Sequence, residues 1–389
     1  MNKKIAVFLG DLFWSSAPYD GVPLYNLLSK HFETDLIIFK EDIRLNKVFK
    51  NNENFFFDPS VFKGITNLKI INDWESLKDL SKDYDLILTS THLAPKTRFP
   101  LRFSHGKRGG KLTKCPIAVW DIGGVDLLVT GTIFADYFFV KGPIWKEWMI
   151  KMGYDKERIF VTGSPHYDNY LDEFQPYAIE KTLNKQQFDK KYGLNHEDKI
   201  LLMPSNPASH TKQFNQSMKS LETMVKLCEK NNIELLLKTY PHDYVFYEKE
   251  KRYSGIYKRQ YTNIPQHQHI TRAYPTIKVV ESQDHFSAVK NVDKIYNMAG
   301  SSIAWETFFT DSVSYATNFK GQKYYKKLHY LPDYIELPDE EMNVHVDNCE
   351  QIIKSDYNIN KDLCSDFILN KISILEILKS VKQILDGHQ

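Results

Sequence analysis

Lys199-Ile200-Leu201-Leu202-Met203 is a short apolar run that closes on Pro204-Ser205-Asn206, and with it a pattern already met once in the chain begins again. Beyond it come Ile233-Glu234-Leu235-Leu236-Leu237, Ile277-Lys278-Val279-Val280, Lys294-Ile295-Tyr296 and Val313-Ser314-Tyr315, separated by helical stretches. Before it the same alternation runs through Ile5-Ala6-Val7-Phe8-Leu9, Asp35-Leu36-Ile37-Ile38-Phe39, Leu68-Lys69-Ile70-Ile71 and Asp85-Leu86-Ile87-Leu88. It continues through Ile117-Ala118-Val119-Trp120, Tyr137-Phe138-Phe139-Val140 and Ile159-Phe160-Val161. Continuous apolar runs of this length, with helices between them, are the mark of parallel strands covered on both faces. The polar segment 171–198 carries no strand and reads as a connection. The pattern therefore predicts two doubly wound α/β domains, 1–170 and 199–365. A C-terminal helix in 366–389 follows, with Ile374, Leu378, Val381 and Leu385 at helical spacing.

Composition agrees with a chain of this kind. It has 389 residues, 42% hydrophobic and 26% charged, which is too long for one small core and too apolar for disorder. With 51 Lys+Arg against 49 Asp+Glu, a net charge of +2 implies no general affinity for nucleic acid, so any electrostatic specialisation is local. Cys115, Cys228, Cys349 and Cys364 lie far apart with no metal-ligand spacing, the pattern of reduced thiols. The apolar run Ile5–Leu9 is too short for a signal-peptide core, and no stretch reaches the ~20 apolar residues that span a bilayer. The expected location is the cytoplasm.

Ligands of doubly wound sheets bind at the carboxyl ends of the strands, in a cleft that two such domains imply. The most informative loop is Asn297-Met298-Ala299-Gly300-Ser301-Ser302-Ile303-Ala304-Trp305-Glu306, after the strand at Ile295. Gly300 lets backbone approach an anion, and the Ser301 and Ser302 hydroxyls with free helix N–H groups suit a phosphate or diphosphate. Glu306 follows, placed for a ribose diol; the same residues would also make an ordinary serine cap. Val161-Thr162-Gly163-Ser164-Pro165-His166-Tyr167-Asp168 reads as a sharp turn between domains, with His166 and Asp168 as turn residues. Asp83-Tyr84-Asp85 has carboxylate spacing seen at metal sites, but it precedes a strand and is read as structural. His267 and His269 lack a nearby carboxylate or cysteine partner, so no metal site is expected there.

The Ala135-Asp136 pair before an apolar strand, the Val-Thr-Gly-Ser-Pro-x-x-Asp turn and the distal Gly-Ser-Ser-Ile-Ala-x-Glu signature resemble the GT-B glycosyltransferase fold. Within it the chain is similar to enzymes of bacterial surface polysaccharide synthesis, including CDP-glycerol glycerophosphotransferases, and UDP-N-acetylglucosamine 2-epimerases share the architecture. The Lys-x-His-Pro element of the glycerophosphotransferases is replaced here by Lys238-Thr239-Tyr240-Pro241-His242. The resemblance implies two Rossmann-like domains, a nucleotide-activated donor held by the second and an acceptor by the first, with no cofactor besides. Gly300, Ser301 and Ser302 would hold the diphosphate and Glu306 the ribose. Ser205, Asn206, Lys238 and His242 would complete the donor side.

On the acceptor side, the loop with Gly10, Asp11 and Ser15 follows the first strand, and Asp121 follows the strand at Ile117. Asp121 and His105 are the candidate general bases. From Lys96 to Lys114 there are seven Lys/Arg and no acids, with Phe99 and Phe103 interleaved. That suits anionic lipid head groups or a phosphate-bearing acceptor, with no nucleic-acid module in company. The expectation is a metal-independent glycosyltransferase moving a sugar from a nucleotide donor to a cell-surface glycan or lipid-linked acceptor. CDP-polyol phosphotransfer and nucleotide-sugar 2-epimerisation are the alternatives.

Overall fold

In the computed structural model the residues described are 3–9, 17–40, 59–90, 113–120, 135–151, 153–203, 211–238, 266–298, 303–317, 344–357 and 367–387. The first sheet has seven parallel strands in the order β3-β2-β1-β4-β5-β6-β7. They are β1 Lys4–Leu9, β2 Glu33–Phe39, β3 Leu68–Ile71, β4 Leu86–Ser90, β5 Ile117–Trp120, β6 Tyr137–Val140 and β7 Ile159–Val161. The second has six, β8 Lys199–Met203, β9 Glu234–Lys238, β10 Lys278–Val280, β11 Lys294–Asn297, β12 Val313–Thr317 and β13 Val344–Val346. Their order is β10-β9-β8-β11-β12-β13. The strand order reverses beside β1 in one sheet and beside β8 in the other, the topology of two doubly wound domains.

Burial explains why these strands were readable. Ile5 to Leu9 are each at most 1% exposed, as are Ile200 to Leu202, because both faces of each central strand are covered. On one face of the first sheet Ala6, Phe8, Ile37, Phe39 and Ile87 form a core with Leu77 and Tyr84. Phe8 and Phe39 meet edge to face at 5.1 Å. In the second sheet the long helix Thr211–Asn231 lays Leu221, Met224, Val225 and Cys228 on Ile200, Leu202, Leu235 and Leu237. Each such side chain contributes about 1.5–3 kcal/mol on burial. The helix Ala17–Leu28 runs so close to β1 that a methyl group on Gly21 would stand 2.2 Å from Leu9.

The chain divides into two compact units between Lys181 and Thr182, and the C-terminal helix Ser373–Gly387 belongs to the first. Its attachment is specific. Asp168 accepts hydrogen bonds from the backbone N–H groups of Ser373 (2.8 Å) and Ile374 (3.1 Å), satisfying donors that a helix start leaves orphaned. Gly163 (φ +83°) takes a left-handed conformation where a Cβ would meet Ser373 Oγ at 2.4 Å. The Phe367 carbonyl accepts from Trp145 Nε1 at 2.9 Å, and Leu369 N–H donates to the Lys141 carbonyl at 2.7 Å. The turn 161–168 is thus built around the last helix of the chain, which accounts for Asp168 as a structural residue.

Asp85 has a comparable duty at the amino end of the first sheet, where its Oδ2 accepts the Lys4 N–H at 2.7 Å. Nearby, Asp35 is held by the Lys69 ammonium at 2.7 Å and the Tyr84 hydroxyl at 2.6 Å. Cys115, Cys228 and Cys349 are buried thiols outside any disulfide, and burial pushes the Cys228 thiol up to about 12. Among the described residues, no helix is long and apolar enough to cross a membrane.

Candidate functional site

The carboxyl ends of β9, β10 and β11 bring charged and titratable groups into the interior of the second unit. Lys238 is the last residue of β9 and only 3% exposed. Asp284 ends the 3-10 turn Ser282–Asp284 after β10, and His285 starts the helix His285–Asn291. Glu306 closes the one-turn helix Ile303–Glu306 after β11 and is itself 3% exposed. Its Oε2 lies 2.7 Å from His285 Nε2, a bond that fixes both the ring and the carboxylate. A buried carboxylate without such a partner would be expensive.

Lys238 carries the electrostatic interest. Burial pushes its ammonium down to about 8, while the charges of Glu306 and Asp284 work in the opposite direction. A lysine in that state is charged below about pH 8 and loses its proton readily above it. Asp284 is anchored in turn, receiving the Tyr192 hydroxyl at 2.5 Å and the Lys191 ammonium at 2.5 Å. That clamp ties the helix Lys185–Tyr192 to the turn after β10 that leads into His285. Chemically the cluster offers a cation suited to a phosphate oxygen and a carboxylate oxygen suited to a hydroxyl.

A cavity of about 180 Å³ in the same unit lies elsewhere, lined by Cys228, Asn232, Glu234, Thr276 and Ile277. Glu234 opens β9 and Ile277 precedes β10, so this cavity sits at the amino ends of the strands. Doubly wound sheets bind ligands at the other end, where Lys238 and Glu306 are.

Of the residues named from sequence, Lys238 and Glu306 are described, and the fold brings their charges together. Gly10, Asp11, Ser15, His105, Asp121, Ser205, Asn206, His242, Gly300, Ser301 and Ser302 lie outside the described residues. So does the basic stretch from Lys96 to Lys111, while Lys114 N–H donates to Ser81 Oγ at 2.8 Å. His285 and Asp284 escaped the sequence reading. The Glu281-Ser282-Gln283-Asp284-His285 segment follows an apolar run, and that position at a strand's carboxyl end was the available signal.

No protein-family model matches the sequence, and no curated protein does. Solved structures match over essentially the whole chain. The UDP-GlcNAc 2-epimerase from Methanocaldococcus jannaschii is 16% identical, with a TM-score of 0.54, 98% of this chain covered and 99% of that one. The UDP-GlcNAc 2-epimerase from Neisseria meningitidis bound to UDP-GlcNAc is 13% identical, TM-score 0.54, covering 99% and 100%. The wall teichoic acid polymerase TagF is 12% identical, TM-score 0.54, covering 100% and 90%. At this identity the likeness establishes the architecture: a GT-B fold of two parallel-sheet α/β domains.

Proposed function

We propose that the protein is a nucleotide-sugar-dependent glycosyltransferase of surface polysaccharide synthesis, holding its donor at the carboxyl ends of β9 to β11. The observation that carries this reading is the buried Lys238, His285 and Glu306 cluster. Lys238 supplies positive charge to a diphosphate, and Glu306, oriented by His285, accepts a hydrogen bond from a ribose hydroxyl. Gly300, Ser301 and Ser302 complete the diphosphate contacts, with Ser205, Asn206 and His242 on neighbouring loops. Gly10, Asp11 and Ser15 face the acceptor, a glycan or lipid-linked hydroxyl, and Asp121 or His105 acts as base without a metal. The segment Lys96 to Lys114 draws the protein to anionic lipid on the cytoplasmic face of the membrane.

A second reading, 2-epimerisation of UDP-GlcNAc, is favoured by the full-length likeness to two epimerase structures. CDP-polyol phosphotransfer is the third, supported by the likeness to TagF. Incubating the protein with UDP-GlcNAc and with CDP-glycerol, with and without lipid-linked acceptor, separates them. Acceptor-dependent UDP release supports glycosyl transfer, a new UDP-sugar isomer supports epimerisation, and CMP release supports polyol-phosphate transfer. Failure to bind any nucleotide by calorimetry would remove the reading.

A further inference from the structure

Within the second unit, the segment 183–192 is bonded to the helix His285–Asn291 at both ends of that helix. At its last residue, Asn291 Nδ2 donates to the Leu183 carbonyl at 2.8 Å, and Ser287 Oγ accepts the Leu183 N–H at 2.9 Å. At its start, Asp284 Oδ2 takes the Tyr192 hydroxyl and the Lys191 ammonium. The Glu281 N–H donates to the Tyr192 oxygen at 3.0 Å, and the Glu281 carboxylate meets Lys191 at 2.7 Å. The helix Lys185–Tyr192 is well made for this. A capping box of Asn184 and Gln187 closes its start, and Gly193, left-handed at φ +60°, ends it. Phe188 is wholly buried and packs 4.9 Å from the Tyr192 ring, which fixes the direction of the hydroxyl.

Asp284 occupies the N-cap position of the helix His285–Asn291, where an aspartate ordinarily accepts N–H groups of the first turn. Its side chain makes no such bond. The carboxylate is buried and turned to Tyr192, 92 residues away in the chain. A local cap would stabilise the helix at least as well, and an ion pair with half-exposed Lys191 is a poor source of stability. The bonds to Tyr192 and Lys191 fix a position instead. The next residue is His285, whose Nε2 lies 2.7 Å from Glu306 Oε2, and the Asp284 charge acts on Lys238. One anchored carboxylate is therefore joined to Glu306 through a peptide bond and an imidazole, and to Lys238 through space.

We infer that Asp284, held by Tyr192, is a positioning residue of the nucleotide site: it sets His285 and through it the Glu306 carboxylate, while its charge backs the Lys238 cation. The inference rests on the nucleotide-donor reading. The charges acting on Lys238 are those of Glu306 and Asp284, and those around Asp284 are Lys191 and, bonded to the same ammonium, Glu281. Both carboxylates oppose the burial that pushes Lys238 down, so loss of the Asp284 charge should lower it further.

The test is calorimetric titration of the full chain with UDP or CDP, whichever the wild type binds more tightly, across the range in which Lys238 loses its proton. Tyr192→Phe keeps the ring packing and removes the hydroxyl. It should weaken binding about 3–10-fold and leave the pH profile in place. Asp284→Asn should weaken binding about 10–100-fold and move the fall in affinity to lower pH. In a Glu306→Ala background Tyr192→Phe should add little, because the hydroxyl acts through that carboxylate. A Tyr192→Phe protein that melts lower but binds like the wild type overturns the inference. So does a loss that adds in full to that of Glu306→Ala, or a folded Asp284→Asn with the wild-type pH profile. These results leave the nucleotide reading standing. Where Asp284→Asn does not fold, the Tyr192→Phe and Glu306→Ala cycle decides. A wild type that binds neither nucleotide overturns both.

Discussion

Asp168→Asn tests how the last helix is held. The side chain is almost wholly buried, and burial pushes its carboxyl up to about 8 despite two backbone hydrogen bonds from Ser373 and Ile374 that favour the charged form. The unfolded chain gives it an ordinary carboxylate value near 3.9. The native state therefore binds a proton more tightly than the unfolded state. The stability this provides is complete below about pH 4 and is lost as pH rises through about 8. Between pH 5 and pH 8 the loss comes to roughly 3–4 kcal/mol at 1.36 kcal/mol per unit of difference. The amide introduced by Asp168→Asn keeps a carbonyl acceptor for one of the two N–H groups, replaces the other acceptor with an NH2 donor, and cannot ionise. Urea unfolding of wild type and Asp168→Asn at pH 5, 6, 7 and 8 isolates the effect as the difference between the two curves. The wild type should lead at pH 5, and the gap should close or reverse by pH 8. A gap that is constant, or that widens towards pH 8, would show a cap that works as an ion and would refute the argument. Asp168→Ala should cost about 2–5 kcal/mol at pH 5, because two donors at the helix start lose their acceptor, and that cost should also shrink towards pH 8.

Other consequences are open to direct measurement. UDP affinity measured by calorimetry should fall as pH rises through about 8, where the Lys238 ammonium gives up its proton, and Lys238→Gln should weaken binding and flatten that dependence. Glu306→Gln should reduce affinity for UDP by roughly 1.5–3 kcal/mol if it meets the ribose as a charged acceptor, with little change in melting temperature. Gly142→Ala places a methyl group 2.0 Å from the Phe367 carbonyl oxygen, which is backbone and cannot step aside. It should cost about 1–3 kcal/mol or more and lower the melting temperature. Changing Arg102, Lys107, Arg108 and Lys111 to glutamine should abolish sedimentation with anionic liposomes at low salt, a contribution of about 1 kcal/mol per residue. Wild-type protein that ignores such liposomes would end that idea.

The strands were legible because parallel strands buried on both faces are written in local sequence as unbroken apolar runs. Ile5–Leu9, Ile117–Trp120 and Lys199–Met203 need no distant information to be recognised. Where a strand sits at an edge the record thins: β13, Val344-His345-Val346, is only three residues long and was missed. Strand ends also drifted, with β9 reaching Lys238 and β12 reaching Thr317, since hydrogen bonding to a neighbour and not apolarity carries the last residue. Position after a strand singled out Glu306, while Lys238 came from the likeness of Lys238-Thr239-Tyr240-Pro241-His242 to the Lys-x-His-Pro element. Partnership was not legible, because it joins elements far apart in the chain: His285 meets Glu306 across 21 residues, and Asp168 meets Ser373 across 205. Asp20 and His166, 3.7 Å apart, likewise come from helices that follow β1 and β7, the first and last strands of one sheet in chain order. Composition and periodicity report how each segment is covered. Which charge stands beside which, and how far burial moves a lysine or an aspartate from its ordinary behaviour, depends on three-dimensional neighbours and is decided only when the sheets close.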